Sequence, residues 1–179
     1  MKTLLIKINI IFKDPFNNNS KNPFYLLKNK FQTFLNLKNF ENYFVDFQMD
    51  TFPKYAKQIF DEVGYGLRTN NTDLFTKNLN ENVYFALREE KADPKNLTED
   101  YLVKCFPLNT KNWEIVHSRS LFLQEVADDF SQSYAQITLK YETDLKKDNY
   151  IVFERCIANN YSFYNWKIFI INYEYFKKH

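Results

Sequence analysis

The hydrophobic period changes once along this chain, and that change limits the folds open to it. Between Thr51 and Leu67, the apolar residues Phe52, Tyr55, Ala56, Ile59, Phe60, Val63 and Leu67 recur at steps of mostly three and four, the signature of an amphipathic helix. From Trp113 onward the period is two, and four strand candidates follow: Trp113 to Gln124, Tyr134 to Thr143, Asn149 to Ala158, and Phe163 to Phe176. The second alternates most clearly. It sets Ala135, Ile137, Leu139 and Tyr141 on one face, expected to be buried, and Gln136, Thr138, Lys140 and Glu142 on the other, expected to be polar. The connections around Asp128-Asp129, Lys146-Lys147-Asp148 and Asn159-Asn160 are too short for helical crossovers, so neighbouring strands must run antiparallel. Helices first and a meander second give an α+β fold, with N-terminal helices packed on one face of a curved four-stranded antiparallel sheet.

The punctuation of the helical half supports this division. Pro53 sits in the first turn of the long helix, where its missing N–H leaves no bond unmade, and Asn70-Asn71 ends that helix. Thr72 or Asp73 is expected to cap a short helix through Leu79, and Asn80 another that runs to about Lys91. Asp93-Pro94 interrupts, Thr98 with Glu99 and Asp100 in the first turn starts a further short helix, and Pro107 closes the half.

Residues 1–48 form a compositional zone of their own, with nine asparagines, eight phenylalanines and no arginine. They read as an extension, and residues 49–179 as the α+β domain. Seven lysines (Lys2, Lys7, Lys13, Lys21, Lys28, Lys30 and Lys38) stand against the single Asp14 in residues 1–40, so the formal net charge of +2 hides an N-terminal excess. Met1 to Lys13 is basic and apolar, which suits an organelle-targeting segment apart from its lack of arginine. Phe24, Leu27, Phe31, Phe34 and Leu35 fall at helical spacing. That pattern fits a helix whose apolar side meets a membrane, a partner, or the core of its own domain.

Chemistry is sparsely encoded. Two glycines in 179 residues exclude Gly-rich phosphate loops. Cys105 and Cys156 lack zinc-ligand spacing or an adjacent base, so they read as small apolar fillers, and a reducing compartment fits without being required. Ser118, Ser120, Ser131 and Ser133 lie outside any Gly-x-Ser-x-Gly elbow. No apolar run approaches the roughly 20 residues that span a bilayer, so no transmembrane segment is expected. His117 would share a strand face with Trp113, Ile115, Arg119 and Leu121, and a carboxylate facing it would make an acid/base site. Asp61 is the helical candidate, but the wheel turns it toward solvent. Arg119, Glu154 and Arg155 read as members of cross-strand pairs. No cofactor or metal is expected.

Five pieces in order carry a resemblance: Phe52-Pro53-Lys54-Tyr55-Ala56, Trp113-Glu114-Ile115-Val116-His117-Ser118-Arg119, Tyr134-Ala135-Gln136-Ile137-Thr138-Leu139, Tyr150-Ile151-Val152-Phe153-Glu154-Arg155, and Asn165-Trp166-Lys167-Ile168. Over residues 51–170 the chain resembles the mitochondrial import-motor tether and mitoribosomal large-subunit domain family, and is most similar to its ribosomal member. Family-signature positions are Ala56, Trp113, Ala135, Gln136, Ile137, Val152, Phe153, Glu154, Trp166 and Ile168. The resemblance implies the cone-shaped fold shared with nuclear transport factor two. It also implies a non-catalytic subunit in the mitochondrial matrix, on the large ribosomal subunit near the exit tunnel and the inner membrane. The hairpin at Asp144 to Asp148 is shorter than in the ribosomal relatives, and the tail carries Tyr173, Tyr175 and Lys177-Lys178 in place of a proline-rich extension. These departures leave open an accessory subunit of a respiratory, ATP synthase or import complex. A small cone-fold enzyme using His117 is the third reading.

On either assembly reading the seven lysines, interleaved with Phe12, Phe16, Phe24 and Phe31, are candidates for contact with ribosomal RNA phosphates or anionic lipid. The aromatics of the last strand region (Tyr161, Phe163, Tyr164, Phe169, Tyr173, Tyr175 and Phe176) exceed what one sheet face can bury, so part of them is expected at a partner surface.

Overall fold

The computed structural model describes residues 23–81, 83–85, 106–124, 131–144, 148–157 and 165–171. Helix α1 (Pro23–Tyr43) precedes the long α2 (Phe52–Thr69) and the one-turn α3 (Thr72–Thr76). Strands β1 (Thr110–Gln124), β2 (Ser131–Thr143), β3 (Asp148–Cys156) and β4 (Lys167–Ile171) follow. The strands pair in the order β1-β2-β3-β4, all antiparallel, as an open sheet. The helices pack against it, so the α+β layout holds. Residues 86–91 of the helix expected from Asn80, and the helix expected from Thr98, lie outside the described residues, as do Cys105, Asp128-Asp129 and the aromatics at 161–164 and 173–176.

Helix α2 forms where its period demands. Pro53 occupies its first turn, and Asn70 ends it in the left-handed conformation (φ 58°, ψ 28°), which asparagine tolerates better than most residues. Its buried stripe of Phe52, Ala56, Ile59, Phe60, Val63 and Leu67 meets Ala135, Ile137, Leu139 and Tyr141 of β2 and Ile151 and Phe153 of β3 in one core. The short helix is capped one residue earlier than its sequence suggested: the side-chain oxygen of Asn71 accepts the Asp73 N–H at 3.2 Å. Helix α3 stops at Thr76, because Leu79 has a stronger use. Leu79 bridges Ile168 in parallel, with the Ile168 N–H on the Asn78 carbonyl (2.8 Å) and the Asn80 N–H on the Ile168 carbonyl (2.9 Å). This clip seats Leu79 in the core.

The compositional change at residue 48 does not mark a gap in packing. Leu37, Phe40, Phe44 and Phe47 belong to the same core as α2 and the sheet. Trp166 lies at their centre, its ring centroid 6.3 Å from Phe40, 5.6 Å from Phe44, 5.6 Å from Phe47 and 4.9 Å from Phe52. Arg155, 3% exposed in its side chain, reaches back to Asp46 with Nη1 at 2.7 and 2.9 Å from the two carboxylate oxygens. Its guanidinium carbon stands 4.3 Å from the Phe44 ring centroid. At the other end of α2, Phe60 contacts Phe106, Trp113 and Tyr141, and Trp113 stacks on Tyr141 at 4.7 Å. Gly64 allows this approach, since a Cβ there would fall 3.1 Å from the Phe106 Cβ.

Strand β1 departs from simple alternation at two points. Its register against β2 slips between Lys111 and Glu114 and again between Ile115 and His117, each slip adding one residue to β1. Asn112 takes a left-handed φ of 53° inside the first bulge and donates to Glu142 at 2.7 Å. The second bulge transfers every following residue to the opposite face. Ile115 stays opposite Leu139 on the core side, but His117 pairs with Thr138 and Arg119 with Gln136 on the far side. His117 and Arg119 therefore do not share a face with Trp113 and Ile115, as plain alternation had implied.

Because Trp166 joins α1, the turn after it, α2 and the sheet, Trp166→Ala is expected to cost about 3–5 kcal/mol of stability. Urea unfolding followed by circular dichroism measures this, and an unchanged midpoint would mean that the aromatic cluster does not hold the fold.

Candidate functional site

The far face of the sheet is polar, as the alternation of β2 required, yet its centre is not solvated. Gln136, Thr138 and Val152 are buried, while Arg119, His117 and Glu154 are half-buried. Register explains the chemistry of this face. Arg119 of β1 lies opposite Gln136 of β2, which lies opposite Glu154 of β3, so three adjacent strands present a guanidinium, an amide and a carboxylate in one row.

Hydrogen bonds run along that row in one direction. Arg119 Nε donates to Gln136 Oε1 at 2.9 Å, and Gln136 Nε2 donates to Glu154 Oε2 at 2.5 Å. Asn80 adds a donor from the clip beside β4, its Nδ2 lying 3.2 Å from Glu154 Oε1. Both oxygens of Glu154 are thus held by amide donors, and Gln136 satisfies a cation with one end and an anion with the other. A buried ion pair must recover its desolvation cost through such partners.

Titration follows from these surroundings. Burial raises the Glu154 carboxyl above its ordinary value, against the lowering effects of Gln136, Arg119 and Asn80. Burial also lowers the Arg119 guanidinium, with Glu154 opposing. His117 is pushed down to about 4, first by burial and then by the charge of Arg119, so its imidazole is neutral at physiological pH. Cys156, on the same face, is pushed up by burial and by Glu154, which disfavours a thiolate. The row can hold charge in place and fix three strands in register. It does not pair His117 with Asp61, which lies on the solvent side of α2 with its carboxylate 2.5 Å from Lys57 Nζ. Ser118 faces the core instead, donating to the Thr33 carbonyl at 3.0 Å while its own carbonyl accepts Asn36 Nδ2 at 2.8 Å. These two bonds fasten α1 to β1.

The signature positions divide between the two faces. Ala56, Ala135, Ile137, Phe153, Trp166 and Ile168 belong to the core and Trp113 packs against it, whereas Gln136, Val152 and Glu154 occupy the far face. Of the basic candidates, Lys28 and Lys30 project from α1 and are exposed. Lys38 is engaged with Glu41 at 2.7 Å, and Glu41 also accepts the Met49 N–H at 3.1 Å. Lys2, Lys7, Lys13 and Lys21 lie outside the described residues. Phe169 is buried.

Two features were not read from the sequence. Asn80 does precede a helical turn, its carbonyl accepting the Tyr84 N–H at 2.9 Å, but its side chain serves Glu154. The second is the set of residues that seats α1, which differs from the apolar stripe its sequence marked. Its core-facing residues are Thr33, Leu37 and Phe40, while Leu27, Phe31 and Phe34 are 67%, 62% and 48% exposed. Among the described residues, no helix is long and apolar enough to cross a membrane, and no group of three or more His, Cys, Asp or Glu side chains could hold a metal ion.

A histidine depressed to about 4 binds fewer protons in the folded chain than in the unfolded one between pH 4 and its ordinary value of 6.5, so its contribution is lost as pH falls through that window. The raised Glu154 acts in the opposite sense above 4.5, so the two must be separated by mutation. His117→Gln is expected to retain on the order of 1–3 kcal/mol more stability than the parent on going from neutral to acid pH. Urea unfolding across that range checks it, and parallel curves would exclude a buried neutral imidazole. Gln136→Leu, which removes the amide between Arg119 and Glu154, is expected to lower stability by about 1.5–3 kcal/mol in the same assay at neutral pH.

No family model matches the chain, and no curated protein sequence matches it either.

Proposed function

We propose that this chain is a non-catalytic structural subunit of a large mitochondrial assembly, first the large ribosomal subunit beside the polypeptide exit and the inner membrane. The observation that carries a binding role is the double-sided α1: one face is fixed in the core, and the other presents Leu27, Phe31 and Phe34 to solvent with Lys28 and Lys30 beside them. An exposed apolar surface of that kind supports an interaction role. The chemistry-bearing groups of the sheet are used differently, since the Glu154 carboxylate and the Arg119 guanidinium are tied through Gln136. The mitochondrial address comes from the family resemblance of residues 51–170.

The apolar character of the α1 surface supports a second reading, an accessory subunit of a respiratory, ATP synthase or import complex of the inner membrane. Lysine alone suffices for phosphate contacts, and exposed phenylalanine adds little to them.

Sedimentation of the tagged chain from gently lysed mitochondria, with RNA and protein read in each fraction, distinguishes the two. Co-migration with large-subunit RNA supports the ribosomal role, and migration with an RNA-free membrane complex supports the accessory role. Lys28→Glu with Lys30→Glu is expected to reduce incorporation more strongly at low salt than at high salt, because screening weakens exposed charge contacts. Migration as a free monomer under all conditions would remove both readings.

A further inference from the structure

Leu27, Phe31 and Phe34 stand at steps of four and three, the a/d spacing of a helix that packs along a second helix. With Phe31 and Phe34 as a and d, Leu27 is the preceding d, and Lys28 and Lys30 occupy the e and g positions that flank the seam. Phe24 continues the spacing toward the helix start, although the seam stands on the other three. The opposite side of α1 is committed, since Thr33, Leu37 and Phe40 are buried and Asn36 is bonded to β1. The seam closes at Lys38, whose ammonium is taken by Glu41.

We infer that the outer face of α1 is a docking seam for a helix of another protein, one with an apolar a/d stripe and acidic residues at its e and g positions. Charge selects this occupant. Residues 15–40 contain lysines and no acidic residue, so a second copy of α1 would bring like charge to the flanks. An acyl layer imposes no heptad spacing, whereas Leu27, Phe31 and Phe34 keep one, with Lys28 and Lys30 on its two flanks; Leu26 and Leu35, also exposed, widen the apolar surface beside them. The acidic e and g groups of a partner helix would meet Lys28 and Lys30 and would also reject competing basic helices. The inference deepens the assembly reading by giving the chemistry of one neighbour.

The test uses the full chain and a labelled synthetic peptide with leucine at a and d and glutamate at e and g, beside the same peptide with lysine at e and g. The glutamate peptide is expected to bind about tenfold or more tightly than the lysine peptide, with the difference shrinking as salt rises. Phe31→Asp and Leu27→Ser, both at exposed positions, are each expected to abolish that preference without moving the thermal midpoint. Equal binding of both peptides, or binding of neither, overturns the seam. Binding to phosphatidylglycerol vesicles without peptide binding would assign the face to lipid, and dimerisation lost in Phe31→Asp would assign it to a second copy; either result overturns the inference. If the chain sediments with a large complex but the glutamate peptide does not bind, the seam falls and the assembly reading stands. Peptide binding by a chain that joins no complex has the reverse meaning.

Discussion

Trp166 holds together parts of the chain that nothing local would bring near one another. Its indole packs against Phe40 at the end of α1, Phe44 and Phe47 in the following turn, and Phe52 at the start of α2. Phe52 in turn meets Phe153 of β3, with ring centroids 5.9 Å apart. Aromatic side chains provide large buried area, and tilted or edge-on contacts add to it. The Arg155–Asp46 pair supports the same junction with charge, drawing the segment after α1 onto the sheet. The Phe- and Asn-rich zone before residue 48 therefore contributes half of an aromatic cluster that the α+β part alone could not complete.

The far side of the sheet solves a different problem. A meander with helices on one face can leave its other face to water, yet Gln136 and Thr138 are buried. Charge there is tolerable because the strand register aligns donor with acceptor: guanidinium to amide oxygen, amide nitrogen to carboxylate, and a second amide from Asn80. The alignment depends on the bulge between Ile115 and His117, since an unbulged β1 would have turned Arg119 into the apolar core and Ser118 away from α1. One inserted residue thus sets both the polar row and the hydrogen bonds that seat α1.

Helix α1 shows why an amphipathic pattern can be ambiguous. The apolar residues read from the sequence, Phe24, Leu27, Phe31, Phe34 and Leu35, are the exposed ones, and the core is served by Thr33, Leu37 and Phe40. The fold covers one side of this helix, and the other side carries exposed apolar side chains. The helix packs on its own core through Thr33, Leu37 and Phe40 and leaves the stripe that its sequence marked exposed.

The sequence by itself determined the order of elements and the direction of the strands. The shift of period from 3.6 to two, Pro53 and Asn70 at the ends of α2, and the short connections between strands are local properties, and backbone geometry translates them directly. The core face of β2 was legible for the same reason. Tertiary structure decided what depends on pairing across distance: the slips in β1 that move His117 to the far face, the row from Arg119 to Glu154, the clip of Leu79 on Ile168, and the capture of Asp46 by Arg155. Bulges have no fixed residue signature, and a side chain's partner 74 or 109 positions away leaves no periodic trace, so these features exist only once the sheet has chosen its register.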